Sequence, residues 1–206
     1  MRILITGGRG DIAQGIKKIL EQQNYEVSAP GKEEMNVTNP EQIATYFSNI
    51  KPDILINCAG YIMPSSIKDS SYDEWTKHLE INLTGTFLCS KIAILSGCSV
   101  IINIVSTSAF EGRPNWGAYS ASKAGVISLT ETLAREGYNC YSLSPSRTAT
   151  KMRTNLFPNE DPKTLMKPER IGEFILKIMN KEFENGSHII LTKDNSIIIP
   201  MRQCPK

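Results

Sequence analysis

Tyr119 and Lys123 stand four residues apart in the segment Tyr119-Ser-Ala-Ser-Lys123. On a helix that spacing is about one turn, so a phenol and an ammonium share one face. A free tyrosine has a pKa of about 10 and exchanges protons poorly near neutrality. A neighbouring ammonium stabilises the phenolate and lowers that value, which suits the pair to protonating an alkoxide or deprotonating an alcohol. Ser106 precedes Tyr119 by thirteen residues and follows the apolar run 100–105. A hydroxyl at a strand end is placed to hydrogen-bond the same substrate oxygen. Taken singly, Tyr-x-x-x-Lys is also what a solvated helix face presents, and Ser106-Thr-Ser108 is also a turn. The joint arrangement is what carries weight.

A second chemical segment lies at the start of the chain, Thr6-Gly-Gly-Arg-Gly-Asp-Ile-Ala13. It falls between an apolar run and a helical pattern, where a dinucleotide phosphate site belongs. Gly7 permits the tight turn, Gly10 lets backbone approach a pyrophosphate, and Ala13 lets the helix pack closely on the strand. The helix N-terminus then offers unpaired N–H groups and the positive end of a dipole. A glycine turn without a ligand is the alternative, and placement at the first β–α junction disfavours it. The second apolar run ends Ser28-Ala29-Pro30, with no acid until Glu33 to hold the ribose hydroxyls of NAD. Arg9 and Lys32 are positioned to meet a 2′-phosphate, so NADP(H) is favoured over NAD(H). Both cations also suit an ordinary solvated surface.

Strands and helices in alternation must position these groups. The patterning predicts strands at residues 3–6, 26–29, 54–58, 100–105, 139–144 and 188–191, and a very short one at 35–37. Helices are expected at 11–23, from Asn39-Pro-Glu-Gln onward, and at 80–97, 117–137 and 168–180. Asn39 reads as an N-cap with proline at N1. This alternation implies an α/β fold, a Rossmann-type doubly wound parallel sheet in three αβα layers. No repeat, low-complexity stretch or linker interrupts residues 1–206, so a single domain is expected.

Composition narrows the function classes. Forty per cent of the residues are hydrophobic and the net charge is +2. That balance argues against an electrostatic nucleic-acid or membrane partner. No signal-type or membrane-spanning apolar stretch is present. Five scattered cysteines, Cys58, Cys89, Cys98, Cys140 and Cys204, lack metal-type spacing, and His78 and His188 have no clustered partners. A reduced cytoplasmic setting and no metal site are expected.

The chain resembles the short-chain dehydrogenase/reductase family over nearly its whole length. Thr6-Gly7-x-x-Gly10-x-x-Ala13 is similar to that family's glycine motif. Asn57-Cys-Ala-Gly60 resembles its Asn-Asn-Ala-Gly segment, and Asn82 matches the asparagine that holds a water leading to the lysine. Ser106, Tyr119 and Lys123 match its catalytic trio. The resemblance implies hydride transfer between a nicotinamide dinucleotide and a ketone, aldehyde or alcohol, with Asn82, Ser106, Tyr119 and Lys123 as the catalytic set. It further implies dinucleotide contacts from Gly7, Arg9, Gly10, Asp11, Ile12, Asn36, Val37, Asn57, Ala59, Gly60, Tyr119 and Lys123. Pro145, Ser146, Thr148 and Thr150 fall where the family holds the nicotinamide end. Asp11, Ala13, Cys58 and Ser146 depart from the classical spelling, and none of them removes a catalytic group.

The substrate segment is expected between Pro145 and about Pro168. Ser106 and Tyr119 would meet the substrate oxygen, and Arg147, Lys151 and Arg153 could receive an anionic group. Surface charge is an equally ordinary account of those cations. Residues 144–153 with 168–172 are also similar to reductase domains of capsule and teichoic-acid synthesis, which reduce a pentulose phosphate. The alternatives are a nucleotide-sugar epimerase or dehydratase of the same fold, and a non-catalytic dinucleotide sensor or scaffold. The short length leaves the epimerase little room for its substrate domain. A homodimer or homotetramer built on 87–95 and the Tyr119 helix is expected by the same resemblance.

Overall fold

The structure is a computed structural model and describes residues 1–202; Cys204 lies outside the described residues. The first apolar run becomes β1 (Arg2–Ile5), followed by α1 (Asp11–Gln22), β2 (Glu26–Ser28), α2 (Pro40–Ile50) and β3 (Ile54–Asn57). A long helical run then comprises α3 (Tyr72–Leu79), a π-helical turn (Glu80–Thr84) and α4 (Gly85–Leu95). It leads to β4 (Val100–Ile104), α5 (Gly117–Arg135), β5 (Cys140–Pro145), the short α6 (Lys151–Leu156), α7 (Glu169–Met179), β6 (His188–Leu191) and β7 (Ser196–Ile199).

The seven strands lie in the order β2-β1-β3-β4-β5-β6-β7, all parallel except β7, which returns antiparallel along β6. Strand order reverses beside β1, which opens a crevice at the carboxyl ends of β1 and β3. Period-two alternation sends residues of one strand to opposite faces. Ile3, Ile5, Ile54, Ile56, Ile102 and Leu143 pack beneath α1 and α7. Leu4, Leu55, Ile101 and Cys140 face the other layer with Ile43, Phe47, Cys89 and Ala93. The three-layer, single-sheet architecture agrees with the sequence-based expectation.

Three local elements differ from the patterning. Residues 35–37 form no strand. Met35 and Val37 are buried as a strand's alternate side chains would be, yet their backbone is spent on turns. Met35 N–H donates to the Gly31 carbonyl, Asn36 N–H to Gln42 Oε1, and Asn39 N–H to the Asn36 carbonyl. The expected helix over 80–97 begins earlier, at α3, and is interrupted by the π-turn. β7 is an addition whose apolar residues Ile197 and Ile198 stay half exposed at the sheet edge.

Candidate active site

The glycine loop is shaped by what surrounds it. Gly7 has φ +67°, and a Cβ there would come within 2.7 Å of the Ala59 Cα. The loop therefore sits directly on the end of β3. Gly8 is tighter still, because an added Cβ would lie 1.9 Å from the Ala29 carbonyl oxygen. Gly8 N–H donates to the Pro30 carbonyl at 2.8 Å. Sequence reasoning passed over Gly8, although the Gly-Gly pair was itself a signal for close backbone contact. Thr6 Oγ1 accepts from the N–H groups of Cys58 and Ala59, both at 3.0 Å, and so locks β1 to β3 at the crevice. The Arg9 side chain lies over Gly31, where a Cβ would come within 2.6 Å of its Nε.

α1 starts at Gly10 with no side-chain cap. Its first-turn N–H groups thus lack the usual side-chain acceptor and suit an anion. That open helix start, beside the glycine turn, fits the pyrophosphate of a dinucleotide. Asp11 has a further task that its place in the motif did not reveal. Its carboxylate accepts the Lys151 N–H at 2.6 Å, tying the glycine loop to the start of α6. Thr150 caps the same helix by accepting the Arg153 N–H at 3.0 Å.

Asn57 and Asn36 act locally. Asn57 is buried and donates through Nδ2 to Ser90 Oγ and Asn103 Oδ1, at 3.1 and 2.9 Å. It braces β3 to α4 and β4. Asn36 Oδ1 accepts from Thr38 N–H and Oγ1, and Val37 packs where a Cβ on Gly85 would clash. Thr148 Oγ1 donates to the Ser146 carbonyl at 2.9 Å, just beyond the buried Pro145.

Asn82 lies in the π-turn, a feature often found at functional positions. The extra residue of that turn aims Asn82 inward, where it is fully buried. Its Oδ1 accepts the Tyr61 N–H at 2.8 Å, and its Nδ2 donates to the Tyr61 carbonyl at 2.9 Å and to Ser122 Oγ at 3.0 Å. Thr86 Oγ1 donates to the Asn82 carbonyl at 2.8 Å. Asn82 thereby fixes the segment that follows Gly60. A Cβ on Gly60 would lie 3.7 Å from Asn82 Oδ1 and 3.9 Å from Lys123 Nζ, which leaves a small open cradle between them.

Ser106, Tyr119 and Lys123 converge at the carboxyl ends of β3 and β4. Ser106 Oγ accepts from Ser108 N–H and Ser108 Oγ at 3.2 and 3.0 Å, which orients the hydroxyl. Burial raises the Tyr119 pKa, while a hydrogen bond from the side of Ser106 opposes that rise. Lys123 is buried, with Nζ donating to the Ile104 carbonyl at 2.8 Å and lying 6.0 Å from the Tyr119 ring centroid. Desolvation pushes its pKa down to about 8. The net direction for Tyr119 is upward, since burial outweighs the Ser106 hydrogen bond. The Cys58 thiol sits by both groups and stays neutral, its pKa raised to about 12 by burial.

A cleft opens over this trio. Ser106 and Tyr119 line it together with Ile12 of the glycine loop, Pro145, Thr148 and Thr150. Arg147 and Arg153 line it too, but both pair with Glu160. Lys151 contributes its backbone to Asp11 and keeps its side chain exposed. Trp116 and Arg113 were missed by sequence reasoning. Trp116 lies three residues before Tyr119 and meets its ring edge-on at 5.6 Å, and that i, i+3 spacing was its signal.

A family model for short chain dehydrogenase matches residues 3–161. The chain belongs to the short-chain dehydrogenase family. The chain is 40% identical over 121 residues to a human (3R)-3-hydroxyacyl-CoA dehydrogenase, covering 54% of this chain and 46% of that protein. It is 37% identical over 124 residues to a 3-oxoacyl-[acyl-carrier-protein] reductase of Synechocystis, covering 56% and 49%. The chain thus spans about half the length of these curated relatives. An uncharacterized oxidoreductase of Staphylococcus aureus is 28% identical over 188 residues, covering 85% and 78%. Among solved structures, a small-chain dehydrogenase in complex with NADPH superposes with TM-score 0.83 at 17% identity, covering 94% and 97%. The ligand-free Thermoplasma acidophilum aldohexose dehydrogenase gives 0.82 at 22%, covering 92% and 91%. Family membership accounts for the fold and for the order of the motifs along it.

Proposed function

We propose that this short-chain dehydrogenase is an NAD(P)-dependent oxidoreductase that reduces a ketone or aldehyde, or oxidises the corresponding alcohol. The observation that carries this is the shared cleft: the Ser106 and Tyr119 hydroxyls line one cavity with Ile12 of the uncapped glycine-loop helix. The bound nicotinamide supplies the hydride chemistry. Tyr119 gives its proton to the developing alkoxide and recovers it from bulk. Ser106, held by Ser108, polarises the same oxygen. Lys123 would hold the nicotinamide ribose and serve the Tyr119 proton. Asn82 holds the Tyr61 backbone and the Ser122 hydroxyl in place behind them.

NADP(H) is favoured over NAD(H). Arg9 rests over Gly31, three residues beyond β2, where the Glu34 carboxylate accepts the Gly31 N–H at 2.7 Å; the strand itself ends at Ser28 without an acid, which leaves Arg9 as the cation to meet a 2′-phosphate. Two structural neighbours carry NADP and NADPH by their own descriptions. Fluorescence titration of NADPH and NADH, on wild type and Arg9→Ala, tests this. The expected result is tight NADPH binding that weakens about tenfold in the variant with NADH affinity unchanged. Failure to bind either nucleotide would end the oxidoreductase reading, and binding without turnover of any carbonyl would favour a sensor.

The finer reading takes a phosphorylated pentulose as substrate, supported by the similarity of residues 144–153 and 168–172 to pentulose-phosphate reductase domains. NADPH oxidation dependent on ribulose 5-phosphate checks it. The proposal includes a cytoplasmic setting and a homodimer or homotetramer through α4 and α5, where Phe87 and Leu95 are exposed. Among the described residues, no helix is long and apolar enough to cross a membrane.

A further inference from the structure

Among the described residues, the charged side chains lining the cleft are Arg113, Arg147 and Arg153, with no carboxylate. Two of the three are already committed. Glu160 takes Arg153 in a bidentate pair, Nε–Oε2 at 2.6 Å and Nη2–Oε1 at 2.8 Å. Both of those side chains are only 14% exposed, and the Arg153 guanidinium stacks 3.8 Å from the Phe157 ring centroid. Arg147 Nη1 shares Oε1 of the same carboxylate at 3.2 Å. A fork-on-fork pair satisfies both partners and gives up its geometry reluctantly.

Arg113 differs. Among the described residues it has no carboxylate within ion-pair distance. Its hydrogen-bond partner is Thr107 Oγ1, at a long 3.4 Å, and its guanidinium lies 5.7 Å from the Trp116 ring. Thr107 directly follows Ser106, and Trp116 meets Tyr119 edge-on at 5.6 Å. Arg113 therefore lines the same cleft as the Ser106 and Tyr119 hydroxyls, joined to them through Thr107 and Trp116. A half-buried, unneutralised guanidinium in a cleft without acids is built to receive a planar or tetrahedral oxyanion.

We propose that Arg113 is the specificity-determining residue of this cleft and that it pairs with a carboxylate or phosphate carried by the carbonyl substrate. Glu160 is the internal counter-ion that withdraws Arg153 and Arg147 from that role. This rests on the carbonyl chemistry proposed above and names the class of substrate for it.

The test uses the full chain saturated with NADPH, so that the cofactor's own phosphate positions are filled. Inorganic phosphate and acetate are titrated separately across the millimolar range, with chloride as the control, and the Trp116 indole NMR signal is followed. The expected result is saturable binding of one oxyanion, weakened at least about tenfold in Arg113→Gln and partly restored in Arg113→Lys. Arg147→Gln should change it by less than about twofold. Tighter phosphate marks a phosphorylated substrate, and tighter acetate marks a carboxylated one. An unsaturable shift in wild type, an unchanged affinity in Arg113→Gln, or a larger loss in Arg147→Gln would overturn the proposal. Failure of NADPH to bind would appear before any oxyanion is added, so the two readings fail separately.

Discussion

Helix α5 carries two buried ionisable groups eight residues apart, and the fold treats them in opposite ways. Lys123 hydrogen-bonds one carbonyl and has no carboxylate partner among the described residues. Glu131 is surrounded: His188 Nε2 lies at 3.0 Å, and Arg202 reaches it through Nη2 at 2.7 Å, Nε at 2.8 Å and its backbone N–H at 3.0 Å. Burial alone would raise the Glu131 pKa, but the Arg202 and His188 hydrogen bonds hold it down to about 2. His188 Nδ1 in turn lies 2.7 Å from Ser142 Oγ. The residue types Ser142, His188 and Glu131 match a hydrolytic triad, yet Ser142 is fully buried and no substrate reaches it. This cluster is a clamp that fixes the chain near Arg202 to α5. Satisfied charge holds structure together; unsatisfied charge marks the end of α5 for which chemistry is proposed.

The comparison breaks most visibly at Tyr119. Tyr119→Phe should lower turnover by roughly a thousandfold while NADPH affinity stays within several-fold. Steady-state rates and a titration on one preparation check this, and near-normal turnover would remove Tyr119 from its role. Next in size is Glu131→Ala, which leaves His188 and Arg202 without their acceptor. We expect a loss of about 2–3 kcal/mol in urea unfolding, with activity per folded molecule unchanged. The Glu131 pKa is lower in the folded chain, so its contribution is complete above the ordinary value of 4.5 and is lost as pH falls toward about 2. The gap between wild type and variant should therefore narrow across that acid window; a constant gap would show that the pairing is not electrostatic.

On stability, Lys123→Met has the smallest effect and the opposite sign. A shift from 10.5 to about 8 corresponds to a penalty of about 3 kcal/mol at neutral pH, offset by about 1 for the lost bond to Ile104. The variant should be more stable by about 2 kcal/mol at pH 7 and devoid of turnover. Because the folded pKa lies below the unfolded one, the penalty is full below pH 8 and is relieved as pH rises toward 10.5. The advantage of the variant must fade over that range. A destabilised Lys123→Met at pH 7 would mean that the lysine is better solvated than its surroundings indicate.

Much of this was legible in the residues. Fully buried parallel strands read as short apolar runs, as β1, β3 and β4 do, with β2 marked by Pro30-Gly31 beyond its end. The Asn39-Pro40 start of α2 was equally direct, since Asn39 Oδ1 accepts from the Glu41 and Gln42 N–H groups. What escaped depends on long-range partners. Residues 35–37 bury alternate side chains as a strand does, and only the hydrogen bonds to Gly31 and Gln42 show a turn. Glu160 stands thirteen residues from Arg147 with nothing in the sequence to link them. The π-turn and the Asp11–Lys151 bond are likewise invisible to periodicity.

The apolar face of α1 has a consequence for how the chain comes to exist. Ile16 and Leu20 are covered largely by α7, with Gly15 pressed against Pro168 and Gly172 against Ile19. A ribosome emits the glycine loop first and this covering helix more than 140 residues later. Until then the glycine loop leads into a helix with one bare side, although every residue of its motif is present. The earliest chemistry written in the chain is thus among the last to be assembled.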